Sequence, residues 1–204
     1  MKVVKTASAC VLGGLLLGVL TLLLGRALPG DSSRLGNSGA VWAAAAFAAG
    51  AVLREGRWRI WIAGTAVLVG AVAGYYGGLV VFEHREVGTG VLTGPIGWSV
   101  VGLAAGPVFA TAGAWWRDER RGRRVVAVCT LGGVFLAEAA YLLATERPPG
   151  EAATVAAIGL GIALVLSRSA RERLLTVVAL IPATVLGFMA YTALDAVLDV
   201  AFTH

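Results

Sequence analysis

Seven stretches of apolar residues follow one another along the chain, separated by short polar segments. They cover approximately residues 7–28, 38–53, 60–82, 90–116, 125–145, 151–167 and 174–203. A helix needs about 20 apolar residues to cross the hydrocarbon core of a bilayer, and each stretch is close to that length. The pattern therefore predicts an all-α integral membrane protein, a seven-transmembrane-helix bundle that forms a single domain over residues 1–204.

The fourth stretch begins with an unusual sequence, TGPIGW. Pro95 has no backbone N–H to donate, and Gly94 and Gly97 leave the chain loosely constrained. We expect an irregular turn before this helix becomes regular.

The composition agrees with a membrane protein. Hydrophobic residues make up 58% of the chain and charged residues 14%, whereas soluble domains carry about 25% charged residues. Basic residues outnumber acidic ones, 17 to 12. Because the basic residues lie in short segments between apolar stretches, we expect the lipid bilayer to be their partner and expect no nucleic acid.

The distribution of basic residues predicts the orientation. Segments on one side of the predicted helices hold thirteen lysines and arginines, and those on the other side hold four. Positively charged segments stay in the cytoplasm, so the N-terminus is predicted to be cytoplasmic and the C-terminus to lie outside. We expect a multi-pass protein of the cell (plasma) membrane.

Three acidic residues interrupt apolar stretches. Glu138 lies in GGVFLAEAAYLLATE, and Asp195 and Asp199 lie in LGFMAYTALDAVLDVAF. The predicted orientation puts all three in the outer half of the membrane. An ionisable group at that depth costs several kcal/mol unless it faces protein or water. We therefore expect Glu138 and Asp195 to converge in one chamber that is shielded from bulk water.

Polar and aromatic residues of other helices are predicted at the same depth. They are Asn37, Trp42, Tyr75, Tyr76, Trp98, Tyr141 and Tyr191. We expect them to line the chamber and, together with Asp199, to bind the substrate. Four further tryptophans adjoin arginines at the opposite interface and are predicted to form an aromatic belt there: Trp58, Trp61, Trp115 and Trp116.

Metal and nucleotide chemistry have no sequence support. Cys10 and Cys129 lie separately in apolar stretches, and the only histidines are His84 and His204. Neither pair has the spacing of metal ligands. We expect no metal and no cofactor.

Acids and aromatic rings in a dry chamber suit proton-initiated chemistry on a lipid-soluble substrate. A carboxylic acid can protonate an alkene or an epoxide, and the faces of Tyr and Trp rings stabilise the resulting cation. In this interpretation Glu138 and Asp195 form the catalytic acid pair.

The chain also resembles a known class of membrane enzymes. Its length, its seven predicted helices and its isolated membrane acids are similar to the small integral-membrane terpene cyclases of actinobacteria, associated with drimentine- and xiamycin-type indole terpenoids. It is loosely similar to the membrane-type meroterpenoid cyclases of fungi, whose late-helix acid Asp195 would match. The resemblance implies class II-like cyclisation of a prenylated, usually farnesylated, molecule in secondary metabolism, without a cofactor.

Two other functions stay open at this point. A small proton- or ion-coupled carrier would also use intramembrane acids, and Pro95, Pro107 and Pro182 could mark broken helices in it. A structural or interaction membrane protein without catalytic activity would not require these residues to lie close together. The arginine-rich segment RDERRGRR could then contact a cytoplasmic partner.

Overall fold

A computed structural model describes residues 2–27, 38–53, 56–83, 93–145 and 147–202. These residues form seven α-helices: α1 (Lys2–Ala27), α2 (Gly39–Val52), α3 (Arg57–Glu83), α4 (Thr93–Trp116), α5 (Arg121–Ala144), α6 (Pro149–Leu166) and α7 (Ala170–Phe202). Six of them are long and apolar enough to cross a membrane, and α2 is a shorter apolar helix. The predicted all-α membrane fold is confirmed.

Several helices begin earlier than their apolar stretches. Helix α5 begins at Arg121 instead of 125, and α7 begins at Ala170 instead of 174. Arginine is a good helix former, so polar turns at the membrane surface continue the helix while hydropathy marks only its apolar part. At the start of α7, the hydroxyl of Ser169 accepts a hydrogen bond from the backbone N–H of Glu172 at 3.2 Å.

The irregular turn predicted before the fourth helix is wrong. Helix α4 begins at Thr93, so Gly94 and Pro95 lie in its first turn. The first N–H groups of a helix have no acceptor within the helix. Proline therefore loses no hydrogen bond at that position.

The helices group into two compact units, Met1–Ala114 and Trp115–His204. We call them unit 1 and unit 2. The boundary falls in the last turn of α4.

In unit 1, helix α3 lies between α1 and α2. Helices α1 and α3 are parallel, because Gly14 lies against Val67 and Ala71 while Gly18 lies against Ala71 and Tyr75. The chain must therefore return between them, and α2 is the helix that makes this return. Its 14 residues span about 21 Å, so α2 alone is shorter than a full crossing.

Unit 2 has a different arrangement, with α5 between α6 and α7. Helices α5 and α7 are parallel, since Arg124 is paired with Glu172 and, further along, Glu138 is bonded to Tyr191. The three helices share a core of Val128, Ala163 and Leu180. The central helix is the third in unit 1 and the first in unit 2, so the two units are not copies of one arrangement.

Candidate functional site

Glu138 is a buried carboxyl group in the C-terminal half of α5. Only 8% of the residue is exposed. The hydroxyl of Tyr191 on α7 donates a hydrogen bond to its Oε2 atom at 2.8 Å. The ring of Tyr141 stacks on the ring of Tyr191, with centroids 5.6 Å apart and planes inclined by 24°. Glu138, Tyr141 and Tyr191 together are called the Glu138 site below.

Small residues bring the two helices of this site together. A Cβ atom added to Gly187 would lie 2.7 Å from the Cβ atom of Ala137, and one added to Gly133 would lie 2.8 Å from that of Ala183. Tyr191 follows Gly187 by one helical turn, as Tyr141 follows Ala137. The close approach of α5 and α7 at the glycines therefore places the Tyr191 hydroxyl within hydrogen-bond distance of Glu138.

The geometry equips Glu138 for proton transfer. A carboxyl group that accepts a hydrogen bond from a phenol still has the capacity to carry a proton of its own. The two stacked rings provide aromatic faces beside it, and burial excludes bulk water. The Glu138 carboxyl group can donate a proton to a substrate or pass one to another group within the membrane.

The structure does not place Asp195 with Glu138. Asp195 is exposed on α7, one turn beyond Tyr191, so the prediction that it shares a shielded chamber is wrong. The position of α7 that faces Glu138 is taken by Tyr191. Helix α5 ends at Ala144. Few residues of α5 therefore lie beyond Tyr141 for the C-terminal end of α7 to pack against.

The aromatic residues predicted in α2 and α3 contact one another inside unit 1. The rings of Trp42 and Tyr75 meet edge to face, with centroids 5.9 Å apart, and those of Tyr75 and Tyr76 do so at 5.6 Å. Gly94 lies against Tyr76, since a Cβ atom there would be 2.8 Å from the Tyr76 hydroxyl oxygen. Ring contacts thus join Trp42, Tyr75 and Tyr76 within unit 1 and Tyr141 and Tyr191 within unit 2.

Of the three remaining predictions of substrate-binding residues, only Trp98 has a side chain that the structure describes. Trp98 is half-buried on α4 and makes no ring contact with another described residue. Asn37 lies outside the described residues, and so does the side chain of Asp199.

Two buried acids were missed from the sequence. Glu151 in α6 is 5% exposed and Glu172 in α7 is 3% exposed. Both lie in the first turn of a helix, where an acidic residue is ordinarily a solvated partner of the helix dipole. The one sign in the sequence that Glu172 could be paired was its position as the only acid among Arg168, Arg171 and Arg173.

Replacing Tyr191 by phenylalanine removes the hydroxyl donor and keeps the ring. We expect the carboxyl infrared band of Glu138, assigned by its loss in Glu138→Gln, to shift. We also expect stability to fall by about 1 kcal/mol, since the buried carboxyl loses a partner. Thr192→Val is the matched control, because the Thr192 hydroxyl bonds the carbonyl of Met189 within its own helix. An unshifted band in Tyr191→Phe would contradict this geometry.

Comparisons with known proteins give a family but no function. No curated protein and no solved structure matches the chain significantly. A family model matches residues 1–197, almost the whole chain. The chain belongs to the family of unknown function DUF6518.

Proposed function

We propose that this protein is a multi-pass enzyme of the plasma membrane in which Glu138 is the general acid for cyclisation of a prenylated, lipid-soluble substrate. One observation carries the proposal: a buried carboxyl group bonded by Tyr191 beside stacked aromatic rings. An ionisable group inside a membrane is costly and ordinarily serves a function.

The reaction needs only what this site offers. Glu138 gives its proton to a terminal alkene or epoxide, which forms a new C–H or O–H bond and a carbocation. Double bonds of the prenyl chain attack the cation in turn and close rings. Loss of a proton from carbon to the Glu138 carboxylate, which the first step left without its proton, ends the sequence, so the product is an isomer of the substrate. The faces of Tyr141 and Tyr191 would stabilise the cation.

The proposal differs from the acid pair expected from the sequence. Because Asp195 is exposed, the acid role falls to Glu138 alone. Tyr191 takes the place of the second acid as the group that orients it. The aromatic cluster of Trp42, Tyr75 and Tyr76 lies in unit 1 and has no role in this proposal.

A proton-coupled carrier is the second candidate. The observation that favours it is that Glu138 lies between two parallel membrane helices, one of which contains Pro182. The different central helices of the two units weigh against it, since many carriers are built from two matching repeats.

The test uses membranes that contain the protein and a farnesylated indole, or its terminal epoxide, as probe. We expect wild-type membranes to form an isomer of the probe and Glu138→Gln to be about a hundredfold slower, in line with loss of a general acid. Asp195→Asn is the matched control and should stay within a few-fold of wild type. Full activity of Glu138→Gln would overturn the proposal. A proton-driven uptake of the probe into vesicles, without isomer formation, would favour the carrier.

A further inference from the structure

Two segments of unit 2 that are distant in sequence form one basic surface. Residues 117–124 and 168–173 contain eight arginines and three acidic residues. Seven of the arginines are exposed: Arg117, Arg120, Arg121, Arg123, Arg168, Arg171 and Arg173. We call these two segments, with the adjoining Trp115 and Trp116, the arginine platform.

The eighth arginine and a buried acid hold the platform together. Arg124 donates to Oε1 of Glu172 from its Nε atom at 3.1 Å and also from its Nη2 atom. Glu172 accepts a further bond from the backbone N–H of Arg168 at 2.9 Å. Arg124 also donates to the carbonyl oxygens of Asp118 at 3.0 Å and Glu119 at 2.7 Å. The two segments are therefore fixed to each other.

The acids of the platform do not neutralise it. Asp118 accepts hydrogen bonds from the backbone N–H of Arg120 at 2.8 Å and from Arg123 at 2.6 Å. Both bonds hold the pKa of Asp118 below its usual value, and the bond from the Arg120 N–H has the larger effect. Asp118 is therefore ionised and paired with Arg123 at neutral pH. The exposed side chains of Arg120, Arg171 and Arg173 form no ion pair within the described part of the chain.

Helix ends add to the positive charge. Helices α5 and α7 both begin in the platform, at Arg121 and Ala170. The N-terminus of a helix carries a partial positive charge. Anions are therefore attracted by the arginines and by the helices beneath them.

Tryptophans place the platform at the level of lipid head groups. The guanidinium of Arg123 lies 5.7 Å from the ring centre of Trp115, which is 37% exposed. Arg168 lies 5.8 Å from the ring centre of Trp116, whose indole N–H donates to the carbonyl of Leu166 at 3.2 Å. Tryptophan rings prefer the boundary between the hydrocarbon core and the head groups.

We propose that the arginine platform binds anionic phospholipid head groups of the adjacent leaflet. Guanidinium groups form paired hydrogen bonds with phosphate oxygens, and basic surfaces at the ends of membrane helices recognise anionic lipids. A lipid phosphate fits better than a dissolved one, because the flanking tryptophans hold the arginines against the bilayer. This inference does not depend on the proposed enzymatic activity.

The test measures how strongly the protein in phosphatidylcholine bilayers selects spin-labelled phosphatidylglycerol over spin-labelled phosphatidylcholine. We expect wild type to favour phosphatidylglycerol several-fold. The variant Arg120→Gln/Arg171→Gln/Arg173→Gln should lose most of that preference, because each arginine near the surface contributes to attraction of an anionic lipid. Its thermal unfolding in phosphatidylcholine alone should match wild type, since it keeps Arg124 and Glu172.

The matched control removes the same charge from the other predicted side, as Arg34→Gln/Arg85→Gln/Arg147→Gln, and should keep the preference. Added inorganic phosphate should not abolish the preference of wild type. A platform variant that selects phosphatidylglycerol as wild type does would overturn the proposal. So would a control variant that loses the preference equally, or a preference that inorganic phosphate removes.

Discussion

Replacing Gly18 by alanine should destabilise unit 1 by about 3 kcal/mol, at the upper end of the usual cost of overpacking. A Cβ atom at Gly18 would overlap the carbonyl oxygen of Ala71 and stand 2.5 Å from the backbone nitrogen of Tyr75. Both neighbours are backbone atoms of α3, so no side-chain rotation can make room. Helices α1 and α3 would have to separate along their whole contact. The measurement is the free energy of unfolding in mixed detergent micelles.

The control for Gly18 lies in the same helix. Gly13→Ala places its Cβ atom where nothing lies within 4 Å, so its stability should equal or slightly exceed that of wild type because alanine favours helix. Equal stabilities of the two variants would contradict the close contact between α1 and α3.

Replacing Arg124 by alanine should destabilise unit 2 by about 3 kcal/mol, because it leaves a buried carboxylate without its main partner. The Glu172 side chain is 4% exposed and that of Arg124 is 15% exposed. The variant also leaves the carbonyls of Asp118 and Glu119 without the bonds that Arg124 donates. Unfolding in detergent is again the measurement.

Arg123→Ala provides the comparison for Arg124. It removes the same side chain from an ion pair with Asp118 in which Arg123 is 44% exposed, and exposed pairs contribute little to stability. Its effect should be clearly smaller than that of Arg124→Ala. An effect of equal size would show that the buried pair does not hold the two segments together.

The sequence predicted the helices well because lipid imposes one simple condition on them. Residues that contact acyl chains must be apolar over about 20 positions, so the stretch at 125–145 already marks most of α5. The same condition says nothing about polar turns at the membrane surface. For that reason Arg121 and Ala170 were not predicted as helix starts.

The site was only partly predictable. The expectation that an acid inside an apolar stretch is buried holds for Glu138 and fails for Asp195. Spacing alone could not say which residue of α7 faces Glu138. Tyr191 and Asp195 lie one turn apart on the same side of α7, and the register against α5 selects Tyr191. That register depends on close contacts at Gly133 and Gly187, which hydropathy does not record.

Glu172 is an acid whose burial the sequence did not predict. Its sequence surroundings are those of a solvated, arginine-rich segment, yet it is 3% exposed. Its burial results from Arg124, a residue 48 positions away. Partnerships over such distances cannot be inferred from the pattern of one segment.

The proposed reaction depends most on Glu138 as the source of the proton that starts it. Membranes equilibrated in deuterium oxide and supplied with the farnesylated indole test this point directly by mass spectrometry of the isomer. We expect wild type to add one deuterium to carbon in the product and Glu138→Gln to form almost no product. Labelled isomer formed by Glu138→Gln at the wild-type rate would contradict it.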